Sequence, residues 1–311
     1  MKVLITGGAG FLGSHLADRL LDRGDQVLVL DNYETGRREN LADREGLTVI
    51  EGTIVDRDRL DAAFKDFGPD VVAHAACSYK DGEAWEHDVM TNAMGTVNVI
   101  RASQEADVDR FIYFQTGLSY GIDPSVQPVP LDHPQPGESS YAITKTTGEQ
   151  YVAMSGLDYV SFRLANIYGP RNISGPPPTF YKRLSEGEPV FVVDSRRDYT
   201  YVDELIDLLE MAVDGTGSGP YNVGSGKDRP IKDLFDVIAK TMGIEIEVEV
   251  RPRPAEDAPT LLLDPSKTEK DFGWKQGIQL EEGIPPTIEW YRENGVGETY
   301  THLKADELKV K

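Results

Sequence analysis

The stretch Thr6-Gly7-Gly8-Ala9-Gly10-Phe11-Leu12-Gly13 decides the fold. It follows KVLIT at residues 2–6, which is typical of a buried strand, and it opens the segment 11–23, whose leucines share one helical face. Three of its glycines recur at every third position. Glycines at this spacing allow a tight turn, close approach of a pyrophosphate and close packing of a helix on a strand. The pattern predicts a dinucleotide site at a helix start.

Short apolar runs alternate with helical patterns through the first half of the chain. This alternation predicts an α/β fold with a doubly wound, Rossmann-type parallel sheet. The second half is less regular and predicts a smaller mixed α/β substrate domain, with a stiff loop at Pro176–Pro178 and a strand-like run, IEIEVEV, at 244–250. We assign 1–165 to a NAD-binding domain, to which the chain returns near 197–217, and 166–196 with 218–311 to the substrate domain.

Acidic residues outnumber basic ones by 53 to 32, so the 311-residue chain carries a formal net charge of −21. Such an excess argues against nucleic acid and anionic membranes as partners. We expect any cleft for an anionic small ligand to be locally neutral or positive. The single cysteine, Cys77, excludes an intramolecular disulfide and a thiolate zinc cluster, and no metal site is predicted. No apolar run reaches ~20 residues and MKVLITGG is not a signal peptide, so we expect a cytoplasmic protein.

Asp31 ends the second predicted strand, where an acid can accept hydrogen bonds from both hydroxyls of a ribose. A carboxylate there repels a 2′-phosphate, so NAD is favoured over NADP. The alternative is that Asp31 only caps a turn. Arg37 and Arg38 follow a few residues later and can contact a phosphate, which leaves the choice of cofactor open.

Tyr141 and Lys145 are four residues apart, so a helix places them on one face. A phenol with a pKa near 10 is a poor base at neutral pH, but an adjacent ammonium and a positively charged nicotinamide stabilise the phenolate. Tyr141 is then able to exchange a hydroxyl proton while a hydride moves. By itself such a pair is more often structural.

Ten motifs occur in order along the chain: TGGAGFLG (6–13), DNYETG (31–36), HAAC (74–77), NAMGT (92–96), QTGLSYG (115–121), YAITK (141–145), RLANIYGPR (163–171), RDYTYVDEL (197–205), PYNVGSG (220–226) and LDPSKTEKDFGW (263–274). The series resembles the extended short-chain dehydrogenases/reductases of the NAD-dependent nucleotide-sugar epimerase/dehydratase group. The resemblance covers nearly the whole chain.

The resemblance implies roles for individual residues. Tyr141 matches the catalytic acid/base, Lys145 the lysine that lowers its pKa, and Thr116 the residue that hydrogen-bonds the reacting sugar hydroxyl. It implies that a substrate diphosphate meets Asn166, Arg197 and Arg253, with Arg251 as the competitor for the last role. The implied cofactor-binding residues are Gly7, Gly10, Phe11, Leu12, Gly13, Asp31, Asn32, Thr53, Ile54, Ala75, Ala76, Asn92, Tyr141 and Lys145.

Several positions depart from the pattern of the family. Thr53 replaces an aspartate that meets adenine. Cys77 and His74 are interpreted as structural, Cys77 as a small buried filler. The sugar dehydratases carry Asp and Glu directly after the threonine, where this chain has Gly117 and Leu118, and a glutamate of the decarboxylating members is also absent. We expect Gly117 to leave room next to the sugar.

Thr116, Tyr141 and Lys145 suffice for hydride and proton transfer, and the acids that dehydratases use for elimination are absent at 117 and 118. This combination favours a nucleoside-diphosphate-sugar 4-epimerase, with a UDP-sugar as the favoured partner. The alternatives are a 4-ketoreductase, a dehydratase that uses Asp81 or Glu83, and a non-catalytic protein that senses NAD. The resemblance also implies a homodimer packed through helices near 89–106 and 141–154. The sequence itself supports the dimer only as two helices with apolar faces.

Overall fold

Thirteen strands occur in the computed structural model, which describes residues 1–254 and 257–300. They are β1 (Lys2–Thr6), β2 (Gln26–Asp31), β3 (Leu47–Glu51), β4 (Val71–His74), β5 (Arg110–Thr116), β6 (Tyr159–Leu164), β7 (Asn166–Tyr168), β8 (Phe191–Val193), β9 (Arg196–Arg197), β10 (Tyr199–Tyr201), β11 (Gly219–Val223), β12 (Arg229–Pro230) and β13 (Glu249–Arg251). The apolar runs of the first half predict strands at 2–6, 27–30, 47–50, 71–75, 110–116 and 159–165, and these match β1 to β6 within about one residue.

The helices are α1 (Phe11–Asp22), α2 (Arg57–Phe67), α3 (Trp85–Asp88), α4 (Thr96–Glu105), α5 (Ser140–Met154), α6 (Pro176–Glu186), α7 (Val202–Val213), α8 (Ile231–Met242), α9 (Ser266–Phe272) and α10 (Leu280–Asn294). A π-helical segment, Val89–Gly95, joins α3 to α4 without a break. Short 3₁₀ turns lie at Arg38–Asn40 and Gly117–Tyr120.

A seven-stranded parallel sheet forms the centre of the molecule, in the spatial order β3-β2-β1-β4-β5-β6-β11. Most of its residues are buried because helices cover both faces, which is the usual environment of a parallel sheet. One face packs against Leu16 of α1 and Leu205 of α7, and the other against Phe64 of α2 and Val99 of α4. The strand order reverses at β1, where doubly wound sheets bind ligands beyond the carboxyl ends of the strands. The predicted fold class is confirmed.

The smaller part of the molecule contains three two-stranded sheets, β7 with β10, β8 with β13 and β9 with β12, together with α6, α8 and α10. The predicted strand at 244–250 is wrong, because only Glu249–Arg251 pairs with β8. The prediction of a stiff loop at Pro176–Pro178 is also wrong. These prolines form the first turn of α6, where their missing N–H groups cost no helical hydrogen bond.

The division into 1–165 and 166–196 with 218–311 stays a prediction except at one boundary. Strand β11 pairs with β6 in the large sheet, so Gly219–Val223 does not belong to the smaller part. The end of the predicted substrate domain, 301–311, lies outside the described residues.

Candidate active site

The glycine turn between β1 and α1 leaves no room for side chains. Gly7 has a φ of +70°, and a Cβ atom there would lie 2.7 Å from the Ala76 backbone at the end of β4. A Cβ atom on Gly13 would lie 2.5 Å from the carbonyl oxygen of Gly7. Gly10 precedes α1 and offers no side-chain cap, so the first N–H groups of this helix remain available to an anion. These features fit the pyrophosphate of a dinucleotide.

Asp31 is buried at the end of β2 and organises the neighbouring loop. Its carboxylate accepts hydrogen bonds from the backbone N–H groups of Ala9 (2.9 Å) and Tyr33 (2.8 Å), and burial raises its pKa. Arg37 donates to the carbonyl oxygens of Gly295 and Val296. Arg38 pairs with Glu51 and lies on the Tyr33 ring. Both arginines are therefore engaged by the protein itself.

One cleft of about 1560 Å³ runs along the carboxyl edge of the sheet and contains most of the predicted site residues. They are Gly7, Gly10, Phe11, Leu12, Gly13, Asp31, Asn32, Thr53, Ile54, Ala75, Ala76, Thr116, Tyr141, Asn166 and Arg197. Asn92, Lys145 and Arg253 do not line it. The individual binding roles stay predictions.

Tyr141 lies in the first turn of α5, whose N-terminus is capped by the Ser139 hydroxyl. Burial raises the pKa of Tyr141 well above its usual value, the nearby Cys77 reinforces the rise, and the Thr116 side chain opposes it. In the protein alone, the expected lowering of this pKa is therefore absent. A positive charge close to the phenol oxygen, such as that of a bound ligand, would stabilise the phenolate.

Lys145 is 2% exposed, and its ammonium lies 4.2 Å from the centroid of the Tyr113 ring. Desolvation lowers its pKa to about 8, against the opposing influence of Cys77 and Glu149. A lysine in this state holds its proton only weakly. Its charge therefore costs the folded protein free energy, and a nearby hydroxyl or an anionic group would stabilise the ammonium.

Asn92 holds the loop after β4 against α5. Its side chain accepts from the Ser78 N–H (2.7 Å) and donates to the Ser78 carbonyl (2.9 Å) and the Thr144 hydroxyl (3.1 Å). Asn92 lies in the π-helical segment, a feature that is frequent at functional sites. It is thus placed to position other groups and is itself buried.

The far end of the cleft is built by β7 and the segment around Arg197. The Arg197 guanidinium pairs with Asp257 (2.5 Å) and donates to the Ala258 carbonyl (2.8 Å). Asp198, which sequence reasoning missed, accepts from the backbone N–H and the hydroxyl of Ser225 and so ties this segment to β11. Burial raises the pKa of Asp198 to about 6. Its only signal in the sequence was its place inside the RDYTYVDEL motif.

The two arginines considered for the last diphosphate contact are both turned to protein groups. Arg253 donates to the carbonyls of Pro254 and Asp257. Arg251 pairs with Glu249 and lies 3.9 Å from the centroid of the Phe191 ring. The role of Arg253 stays a prediction, and nothing in the described residues favours Arg251 over it.

Several positions that depart from the family pattern have surroundings that the sequence did not predict. Gly117 does not leave room next to the sugar, because a Cβ atom there would lie 3.1 Å from the Leu164 carbonyl and 3.2 Å from the Leu263 side chain. Cys77 is half-buried and lines the cleft, so it is not a fully buried filler; burial raises the pKa of its thiol. Asp81 and Glu83 lie exposed at the rim of the cleft.

The neutral or positive charge expected of the cleft stays a prediction. Acidic side chains outnumber basic ones among the described residues that line it, so a simple count does not favour the expectation. The distribution is uneven. Most of these acids, such as Glu34, Glu138 and Glu186, are exposed at the rim, whereas Arg37, Arg171 and most of the other bases are half-buried.

The segment Gly295–Tyr300, called the strap below, crosses the cleft after α10. Besides the hydrogen bonds from Arg37, the Gly297 carbonyl accepts a hydrogen bond from Lys182. Glu298 forms an ion pair with Lys80 at 3.3 Å. Tyr300 bonds through its backbone to residues 173 and 175 in front of α6. The strap therefore joins both parts of the molecule at the mouth of the cleft.

Within residues 1–254 and 257–300, no group of three or more acidic, His or Cys side chains is arranged to hold a metal ion. The same residues include no helix that is long and apolar enough to cross a membrane.

The sheet order, the glycine turn, Asp31 and the Tyr141–Lys145 pair define the short-chain dehydrogenase/reductase class. Residues 3–224 match the model of the NAD-dependent epimerase/dehydratase family. The chain belongs to this family.

Solved structures and curated proteins resemble the whole chain. The Bordetella bronchiseptica enzyme WbmH, solved in complex with NAD⁺, is 48% identical, with a TM-score of 0.91 and coverage of 94% of this chain and 99% of that one. WbmG of the same organism, solved with NAD and UDP, is 42% identical, with a TM-score of 0.89 and 97% coverage of each. A putative UDP-glucose 4-epimerase of Methanocaldococcus jannaschii is 31% identical over 94% of this chain and 99% of its own. UDP-glucuronic acid decarboxylase 1 of Arabidopsis thaliana is 29% identical over 94% of this chain and 70% of its own.

Proposed function

We propose that the protein binds NAD and interconverts nucleoside-diphosphate sugars, UDP-sugars above all, that differ in configuration at C4. The glycine turn fits a pyrophosphate, and the buried Asp31 is placed for a ribose. Relatives solved with NAD, and one with NAD and UDP, support the same ligands for this cleft.

The observation that carries the 4-epimerase assignment is a Tyr–Lys pair beside Thr116, with no acid at the two following positions. Bound NAD supplies a hydride acceptor that also returns the hydride. Thr116 orients the sugar 4-hydroxyl, and Tyr141 as phenolate takes its proton when the C4 hydride leaves. The resulting 4-keto sugar turns within the cleft. Tyr141 then returns the proton to the oxygen as hydride arrives on the opposite face, so no net oxidation occurs.

The product distribution tests this assignment. Purified protein with NAD is incubated with UDP-glucose, UDP-N-acetylglucosamine or UDP-glucuronic acid, and the products are separated by chromatography. We expect a C4 epimer at equilibrium and no net change in NADH absorbance. Tyr141→Phe is expected to abolish turnover while NAD binding persists. Tyr159→Phe, which changes a half-buried tyrosine of β6 that does not line the cleft, serves as the control. Dehydrated, decarboxylated or reduced sugars as the only products would refute the proposal.

A second candidate, the dehydratase, depends on Asp81 or Glu83 acting as the missing acid. The structure favours it only in that both residues line the cleft. A 4-keto-6-deoxy product that disappears in Asp81→Asn or Glu83→Gln would favour it.

We also propose a homodimer. Two neighbouring helical stretches expose large apolar side chains: Trp85, Val89, Met90 and Met94 before α4, and Ile143, Tyr151 and Met154 on α5. Contiguous apolar surface of this kind marks interaction sites. The occupant proposed is the same face of a second copy, because the two stretches pack side by side and can form a four-helix interface.

Light scattering tests the dimer. Met94→Glu is expected to give a monomer, whereas Val126→Glu, which changes an equally exposed valine in a loop, is expected to leave the dimer intact. A wild-type monomer at micromolar concentration would contradict the proposal. The cytoplasmic location expected from the sequence remains a prediction.

A further inference from the structure

A buried chain of hydrogen bonds connects the end of β1 to the catalytic helix α5. The Thr6 hydroxyl lies 2.6 Å from Nδ1 of His74, and Nε2 of His74 lies 2.9 Å from the Thr96 hydroxyl. The Thr96 hydroxyl lies 2.7 Å from the backbone carbonyl oxygen of Asn92. The side-chain amide nitrogen of Asn92 lies 3.1 Å from the Thr144 hydroxyl. All five residues are at most 4% exposed.

In a neutral ring, one arrangement of protons satisfies every contact of this chain. A carbonyl oxygen can only accept, so the single proton of the Thr96 hydroxyl points to Asn92. Nε2 of His74 must then carry a proton and donate it to Thr96. Nδ1 is left bare in the neutral ring and accepts from Thr6. Burial and the charge of Lys145 lower the pKa of His74, which favours the neutral ring, and the contacts then place its single proton on Nε2.

The far end of the chain reaches the backbone that carries Tyr141. The Thr144 hydroxyl donates to the Ser140 carbonyl at 2.7 Å and lies 3.2 Å from the Tyr141 carbonyl. These carbonyls belong to the first turn of α5. The position of this turn relative to the glycine turn is thus linked to the ring of His74.

A second route leads from the same ring to Lys145. The register of the sheet places Thr6, His74 and Tyr113 side by side on three adjacent strands. The His74 and Tyr113 rings are 5.7 Å apart. Tyr113 supports Lys145 twice, because its hydroxyl donates to the Lys145 carbonyl at 2.9 Å and its ring lies under the ammonium.

We propose that His74 and Thr96 are positioning residues for the reaction, which set the Tyr141–Lys145 pair relative to the cofactor turn. His74 was interpreted from sequence as merely structural. A purely structural histidine would contribute only to stability, whereas this one contacts Tyr113, which holds Lys145, and is linked through Thr96 and Asn92 to Thr144 below Tyr141. The inference rests on the proposed epimerase function for its kinetic test, but its structural test does not.

The structural test uses the imidazole spectrum of the NAD-free protein. A long-range ¹H–¹⁵N NMR experiment on the 5 histidines distinguishes the two neutral tautomers, and His74→Gln assigns the signal of His74. We expect the Nε2–H tautomer, unchanged from pH 6 to 9. An Nδ1–H tautomer or a protonated ring in this range would overturn the proposal, whatever reaction the protein catalyses.

The kinetic test uses Thr96→Val, which keeps the side-chain shape but removes the acceptor of His74 and the donor to Asn92. Thr96→Ser keeps the hydroxyl and is the matched control. We expect the valine variant to lose kcat by about 10- to 100-fold, since small displacements of reacting groups have effects of that size. KM for the UDP-sugar and the affinity for NAD should change by less than about threefold, and the acidic limb of the kcat–pH profile should move to higher pH. The serine variant should resemble wild type.

Two outcomes separate this inference from the function itself. Absence of epimerase activity in wild type refutes the proposed function. The tautomer of His74 then decides the inference, which the Nε2–H form supports and the Nδ1–H form overturns. Normal kcat in Thr96→Val refutes the inference alone. If Thr96→Val does not fold, Thr144→Val against Thr144→Ser interrupts the chain at its other end, and the same kinetic contrast is expected.

Discussion

Lys145 places a positive charge where the folded protein solvates it poorly. Burial lowers its pKa from 10.5 to about 8, which corresponds to about 3 kcal/mol. Below pH 8 the lysine is protonated in both the native and unfolded states, so the folded protein bears the whole cost. Between pH 8 and 10.5 the unfolded state binds more protons than the native state, and the free energy of unfolding rises with pH. Lys145→Met is therefore expected to stabilise the NAD-free protein at pH 7 by up to about 3 kcal/mol.

Urea denaturation of the NAD-free protein at pH 7, 8, 9 and 10 measures this effect. The gain in the free energy of unfolding of Lys145→Met over wild type should be largest at pH 7 and should shrink steadily above pH 8. The variant should be catalytically inactive at every pH. Methionine fills the same space and makes a favourable contact with the Tyr113 ring. Lys232→Met is the control, because that lysine is exposed and pairs with Asp236; its effect should stay within about 0.5 kcal/mol at every pH. A Lys145→Met protein that is less stable at pH 7, or equally advantaged at all pH values, would refute the reasoning.

Two further changes test the glycine turn and the strap. Gly13→Ala should destabilise the protein by about 1–3 kcal/mol and abolish NAD retention, because its Cβ would overlap the Gly7 carbonyl. Gly82→Ala is the control: a Cβ atom at Gly82 has open space, so stability and NAD retention should both stay unchanged. Thermal denaturation with and without NAD measures both effects. Lys80→Glu should speed NAD dissociation about two- to fivefold, in line with the small free energy of an exposed ion pair, and adding Glu298→Lys should restore the slower rate. Equal dissociation rates in wild type, single and double variants would show that this ion pair does not retain the cofactor.

The fold could be predicted because its signals are local. A buried parallel strand is a short apolar run, and the glycine turn needs residues without side chains wherever backbones meet, as Gly7 does at Ala76. The helical spacing of Tyr141 and Lys145 follows directly from α5. Sequence reasoning succeeded where one segment determines its own structure.

The failures concern features that depend on distant partners. The alternation of IEIEVEV suits a strand, but only Glu249–Arg251 finds a neighbour to pair with. Gly117 looked like free space because a sequence does not show that Leu164 and Leu263 fill it. The strap and the raised pKa of Tyr141 likewise arise from contacts between segments far apart in the chain.

The net charge of −21 is compatible with an anionic ligand because exposed and buried charges are not equivalent. Carboxylates at the rim of the cleft are surrounded by water and salt, which screen them beyond about 8–10 Å. The half-buried guanidinium groups act through a lower dielectric constant, where the same charge has a larger effect. Arg171 pairs with Asp18, and Arg197 with Asp257, so each is held in place by one acid. A diphosphate entering the cleft meets these oriented cations and the free N–H groups of α1, whereas a polyanion meets the acidic exterior first. We therefore expect the overall charge to select against large anions without preventing the binding of a small one.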